Sequence, residues 1–143
     1  MTEIHAETLI RAPREAVWAF LTHHEGLPGW SPLKRVDLDP PGSPNRDGLG
    51  AVRHMRGAGP TIVEEVVAWD PPNSYAYTLR RGAPIRDHRG QVALEDDGDG
   101  IRVTWDISFR PLVPGTGWLL RAVLGRAISG MLSEAKKQLE QAQ

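Results

Sequence analysis

The 143-residue chain contains no cysteine. That excludes a disulfide framework, a thiolate nucleophile and a thiolate metal site. Long apolar runs are also missing, and none approaches the roughly 20 residues a helix needs to span a bilayer. Stable membrane insertion is therefore not expected. The opening "MTEIHAETLI" has neither a basic n-region nor an apolar h-region, so no secretory signal is expected and a cytoplasmic location is the default. There is no G-x-S-x-G, no H-E-x-x-H and no phosphate loop. Net charge is only −1, and the arginines, which far outnumber the lysines, are spread along the chain. No nucleic-acid partner is expected from that pattern. With no repeat and no linker, residues 1–143 read as one domain.

What is present divides by period. "EIHAETLI" alternates apolar and polar residues and stops at Pro13, as a strand does. "PREAVWAFLTHH" reads as a helix, with Pro13 suited to its first position and Val17, Trp18, Phe20 and Leu21 on one face. A loop holding Trp30 follows, stiffened by Pro28 and Pro32. "LKRVDLD", "GAVRHMRG", "TIVEEVVAWD", "NSYAYTLRRG", "IRDHRGQVALED" and "GIRVTWDISFR" are strand-like and separated by turn signals. Their short connections predict an antiparallel meander. From "PGTGW" onward the period is helical, with Leu120, Leu124, Ile128, Met131, Ala135 and Leu139 at steps of three or four. Gly125 and Gly130 interrupt this helix, either for close packing on the sheet or to leave room for a ligand. Helices on one face of an antiparallel sheet make an α+β domain.

Three sharper signals lose to plainer explanations. His23–His24 is read as a cation pair at a helix end, because adjacent helical residues diverge and do not chelate together. Asp87–His88 would point to opposite faces of a strand. "DDGDG" lacks the glutamate of a calcium loop and is read as a hairpin turn. No metal site and no cofactor are expected.

The stretches "RAPREAVWAFLT…LPGWSP", "GLGAVR", "VVAWDPPNSYAYTL" and "GDGIRVTWDISFRP…PGTGW", with the long final helix, resemble the START-like (SRPBCC) superfamily, in its polyketide cyclase/dehydrase-like branch. The resemblance covers nearly the whole chain. It implies a helix-grip (START/Bet v 1-like) fold, in which a seven-stranded curved antiparallel sheet wraps the C-terminal helix around an apolar pocket. It also implies a small hydrophobic or aromatic ligand, polyketide-like or lipid-like. Trp30 falls where the family pattern has its own tryptophan, at the pocket entrance.

Strand parity then sorts side chains by face. Val103, Trp105, Ile107 and Phe109 are expected inward, as are Tyr75, Tyr77, Leu79 and Arg81, and Val92 and Leu94 with His88 and Gly90. On "AVRHM" the inward set is Ala51, Arg53 and Met55, or else Val52, His54 and Arg56; the first is adopted. Glu64 and Glu65 are consecutive, so one of them must face the pocket. A lone carboxylate there needs a partner. Arg53, Glu65 and Tyr77 are taken as that polar island, with Arg53 and Tyr77 as donors to an enolate oxygen and Glu65 as base. Trp30, Met55, Tyr75, Leu79, His88, Trp105, Leu124 and Ile128 are the expected ligand contacts.

The expected function is binding of a small hydrophobic molecule, extending to cyclisation or dehydration of a polyketide-like ligand. Two other readings stand beside it. One is a lipid or quinone carrier of the coenzyme-Q-binding kind. The other is an interaction module, because "APREAVWAFLT…W" also resembles activators of the Hsp90 ATPase. A monomer or weak homodimer is expected.

Overall fold

The computed structural model describes residues 1–143. Strand β1 (Thr2–Ile10) leads to helix α1 (Arg14–Thr22) and a 3-10 segment, His24–Gly29. Six strands follow: β2 (Arg35–Leu38), β3 (Val52–Arg56), β4 (Ile62–Asp70), β5 (Ser74–Arg81), β6 (Ile85–Asp97) and β7 (Gly100–Pro111). Helix α2 (Gly117–Gln141) closes the chain with 25 residues. The seven strands form one sheet in the order β1-β7-β6-β5-β4-β3-β2, and every pairing is antiparallel. This is the expected helix-grip arrangement, with the meander running through all six later strands. "DDGDG" does form the β6–β7 turn.

Local chemistry sets the element ends. Pro13 stands one place earlier than expected, as the N-cap of α1, where its missing N–H costs nothing. Trp18 and Leu21 of α1 bury against the sheet. The Arg14 guanidinium holds the helix start to the carbonyls of Pro72 and Leu94 and to Asp96. The loop expected around Trp30 is tighter than an open loop, since His24–Gly29 turns as a 3-10 helix that Trp30 terminates.

The strands are not all regular, and the irregularities matter. β4 and β5 slip register at Val63/Glu64 and again at Val66/Ala68, and β6 slips against β7 at Arg86/Arg89. Bulges of this kind bend a sheet and reverse side-chain parity beyond them. The bent sheet carries its core on one side, where Phe109, Val103, Val66 and Ile10 have essentially no exposure. Ile128, Leu132, Ala135 and Leu139 of α2 complete that core. No helix is long and apolar enough to cross a membrane.

Candidate functional site

Between the sheet and α2 lies a cavity of about 230 Å3, lined by 24 residues of which 19 are hydrophobic. All eight residues expected to contact a ligand stand on its wall: Trp30, Met55, Tyr75, Leu79, His88, Trp105, Leu124 and Ile128. Arg53 and Tyr77 line it as well, whereas Glu65 does not. Arg81, grouped with the inward face of β5, is exposed at the strand's end.

Glu64, not Glu65, is the inward carboxylate. In the observed register Glu64 lies opposite Arg53 on one side and Leu79 on the other, while Glu65 lies opposite Val52 and Thr78. Trp69, of the same parity as Glu65, does pack inward against Trp18 and Tyr75, so parity along the strand alone does not separate the two glutamates. Val67 is the extra residue between the pairs Val66–Tyr77 and Ala68–Ala76, so it reverses the parity between the two positions. Glu65 instead accepts from the Nε of Arg80 at 2.9 Å on the outer face.

Arg53 is 3 % exposed, and its donors are spent on three partners. Its Nε and Nη2 both donate to Glu64 Oε1, at 3.2 and 2.8 Å. Nη1 donates to His24 Nδ1 at 3.1 Å and reaches the Tyr75 hydroxyl at 3.4 Å. The guanidinium carbon also sits 4.4 Å from the centre of the Tyr77 ring, a cation–π contact. Burial opposes the Arg53 charge, but Tyr75, Glu64 and Tyr77 outweigh it and hold the group firmly protonated.

His24 departs from its expected role. It is fully buried, not a cation at a helix end. Its Nε2 donates to the Asp47 carbonyl at 2.9 Å, which leaves Nδ1 to accept from Arg53. Burial, then the Arg53 charge, lowers its pKa to about 3. A neutral imidazole is the only form that can serve Arg53 in this way. Sequence reasoning held Glu64 as the alternative to Glu65 and adopted the wrong one, and it missed His24 altogether. Only the position of His24, directly after an amphipathic helix, hinted at an inward ring.

Two polar atoms at the cavity wall, Glu64 Oε2 and His88 Nε2, have no partner in the protein, and a third group, the Tyr77 hydroxyl, keeps its own proton to donate. Glu64 Oε2 takes no hydrogen bond from the protein, since both Arg53 donors converge on Oε1. Tyr77 accepts from Trp105 Nε1 at 2.8 Å, so its own hydroxyl proton is free. Burial, then the nearby Glu64 charge, raises the Tyr77 pKa well above the ordinary value, which keeps that proton in place. His88 Nδ1 accepts from the Leu79 backbone N–H at 2.9 Å, so Nε2 carries the proton. Burial lowers the His88 pKa, with Glu64 opposing and Arg53 adding to the effect. One acceptor and two donors thus face an otherwise apolar space.

Gly90 makes this placement possible. A Cβ there would lie 2.1 Å from Tyr77 Cζ and 2.5 Å from its hydroxyl oxygen. A glycine in a strand interior often marks such a close approach. The helix glycines are different. A Cβ at Gly125 would meet only Ile4, at an ordinary 3.7 Å, and one at Gly130 would meet nothing. Gly130 borders an outer groove shared with Trp30, Pro32 and Ala127, rather than the inner cavity. Trp30 is 6 % exposed, packs 5.5 Å from Phe20, and borders both the groove and the cavity.

Comparison with known proteins gives a consistent picture. A family model described as polyketide cyclase / dehydrase and lipid transport matches residues 1–142. No curated protein matches the sequence. Among solved structures, a START superfamily protein from Mycobacterium smegmatis superposes with a TM-score of 0.83 at 14 % identity, covering 100 % of both chains. The di-domain ARO/CYC StfQ of the steffimycin biosynthetic pathway gives 0.81 at 16 % identity, covering 99 % of this chain and 51 % of that one. The Aha1 dimer from Colwellia psychrerythraea gives 0.75 at 20 % identity, over 98 % and 97 %. At these identities the likeness establishes the fold alone.

Proposed function

The chain belongs to the polyketide cyclase / dehydrase and lipid transport family, and from that premise we propose that it binds a small, neutral, largely apolar molecule carrying a hydroxyl or enol group. The observation that carries this reading is the three-atom polar array in the cavity. Glu64 Oε2 takes the ligand's proton in a hydrogen bond, and Tyr77 Oη and His88 Nε2 donate to its oxygen. An anionic ligand is disfavoured, because the one buried cation is already matched by Glu64.

Cavity size limits the ligand. A cavity of about 150 Å3 admits benzene, so the 230 Å3 here suits about two fused rings. A diacyl lipid or a long quinone tail exceeds it. The same array supports proton transfer within an enolisable ring system, with Glu64 as base and Tyr77 as donor to the enolate oxygen. That is the chemistry of cyclisation and dehydration.

The reading is tested by native mass spectrometry of the protein purified from its own host, together with quenching of tryptophan fluorescence by a panel of aromatic polyketides. A co-purifying apolar molecule, or quenching that saturates, is expected. Absence of both a bound molecule and quenching would overturn the proposal.

A further inference from the structure

A different feature lies at one end of the sheet. The β3–β4 and β5–β6 turns, the start of β2 and the β7–α2 loop all meet there, because the strands are antiparallel and consecutive. Ile62, Ala83 and Ile85 of those turns line the cavity at this end, with Leu124 and Ala127 of α2. At the same end, on the β7–α2 loop and the first turns of α2, Leu112, Val113, Trp118, Leu119 and Val123 are between 47 and 73 % exposed. Leu119 and Val123 are four residues apart and share a helix face. Exposed large apolar residues are otherwise single and scattered, as at Leu49 and Val67.

Charge is divided along the same axis. From Ile107 to Ser133 the chain has three arginines and no acidic residue. Arg56, Arg81, Arg86 and Arg126 at or near this end are exposed and form no ion pair, while Arg110 pairs with Asp87. At the opposite end the arginines are matched: Arg14 by Asp96, Arg11 by Asp99 and Arg102 by Asp97. The net charge of −1 conceals this polarity.

We propose that this end docks peripherally on an anionic lipid bilayer, with Trp118, Leu119, Leu112 and Val113 entering the interface and the unpaired arginines facing lipid phosphates. Tryptophan with aliphatic neighbours inside a basic rim is the chemistry that the headgroup boundary of such a membrane accepts. A second copy fits less well. A two-fold contact would oppose the same basic rims, and the opposite end offers no matching apolar cluster. Docking here would bring the end of the cavity lined by Ile62, Ala83 and Ile85 toward the membrane, a source of apolar ligand. The inference does not depend on which ligand the cavity holds.

The test is sedimentation of the full chain with phosphatidylglycerol-containing vesicles, compared with pure phosphatidylcholine vesicles. Binding to the anionic vesicles is expected, weakened by added salt. Arg86→Glu should weaken it about fivefold or more, since each basic residue near such a surface contributes on the order of a fivefold factor. Trp118→Asp should weaken it roughly tenfold or more through lost apolar burial. Both sites are exposed, and unchanged thermal unfolding of the variants confirms that they fold. The proposal is overturned by absence of binding at low salt, by equal binding to neutral vesicles, or by Trp118→Asp binding as well as the parent. Trp118-dependent self-association without vesicle binding would also overturn it, making the surface an interface between copies.

Discussion

The two faces of β4 carry the same pair of residue types in opposite circumstances. Inside, Glu64 meets Arg53, with side chains 12 % and 4 % exposed. Outside, one residue along the chain, Glu65 meets Arg80, at 27 % and 53 %. Both pairs place two guanidinium nitrogens on one carboxylate oxygen. Only the inner pair is desolvated, tied to a neutral histidine and set against two tyrosine rings. Identical chemistry thus becomes a site on one face and surface decoration on the other. Environment separates them.

The largest way to break this comparison is to remove one inner partner. Arg53→Met leaves the Glu64 charge buried without a cation and should cost about 3–5 kcal/mol in urea denaturation. Adding Glu64→Leu to the same chain should recover much of that loss, because a buried pair replaced by apolar groups is often neutral. The equivalent Arg80→Met change should stay within about 1 kcal/mol, as exposed pairs do. Equal losses on the two faces would end the distinction.

Next in size are the residues that hold the inner array. Gly90→Ala forces the Tyr77 ring to move and should cost about 1–3 kcal/mol by overpacking. Tyr77→Phe removes the acceptor of Trp105 Nε1 and should cost a similar ~1–3 kcal/mol, through an unsatisfied buried donor. Both are measurable as shifts in the denaturation midpoint.

Acid sharpens the comparison from another side. His24 has a pKa of about 3 in the fold against 6.5 ordinarily. Above the ordinary value both folded and unfolded chains hold a neutral ring, so His24 contributes no pH dependence. Below it the unfolded chain binds a proton that the folded one refuses. Stability therefore falls by about 1.4 kcal/mol per pH unit, down to the folded value. His24→Gln should flatten that slope in denaturation curves taken from neutral to acid pH. An unchanged slope would remove His24 from the inner network. The smallest effect is expected at Glu65→Gln, below about 1 kcal/mol.

How much of this was legible in the sequence follows from the same strand. Parity reads correctly wherever a strand is regular. Trp105, Ile107 and Phe109 of β7 face inward, and so do Tyr75, Tyr77 and Leu79 of β5 and Arg53 and Met55 of β3. It does not decide between Glu64 and Glu65 on β4, because Val67 is an extra residue that puts inward positions of both parities on the one strand. Nothing in "TIVEEVVAW" marks an extra residue; only the pairing with β5 reveals it. His24 was misread for a related reason. Its ring points inward because the chain tightens into a 3-10 turn toward Asp47, a contact 23 residues away. The fold rests on many regular positions and survives one slip. A site built from three or four side chains does not.

The array itself is tested most directly by comparing 2-naphthol with naphthalene, each titrated against the protein's tryptophan fluorescence. The two differ by one hydroxyl, which Glu64 Oε2, Tyr77 and His88 are placed to engage. Tighter binding of 2-naphthol, by roughly tenfold, is expected from one well-made hydrogen-bonded set, with most of that gap lost in Tyr77→Phe. Equal affinity for the two compounds, or no binding of either, would contradict the account.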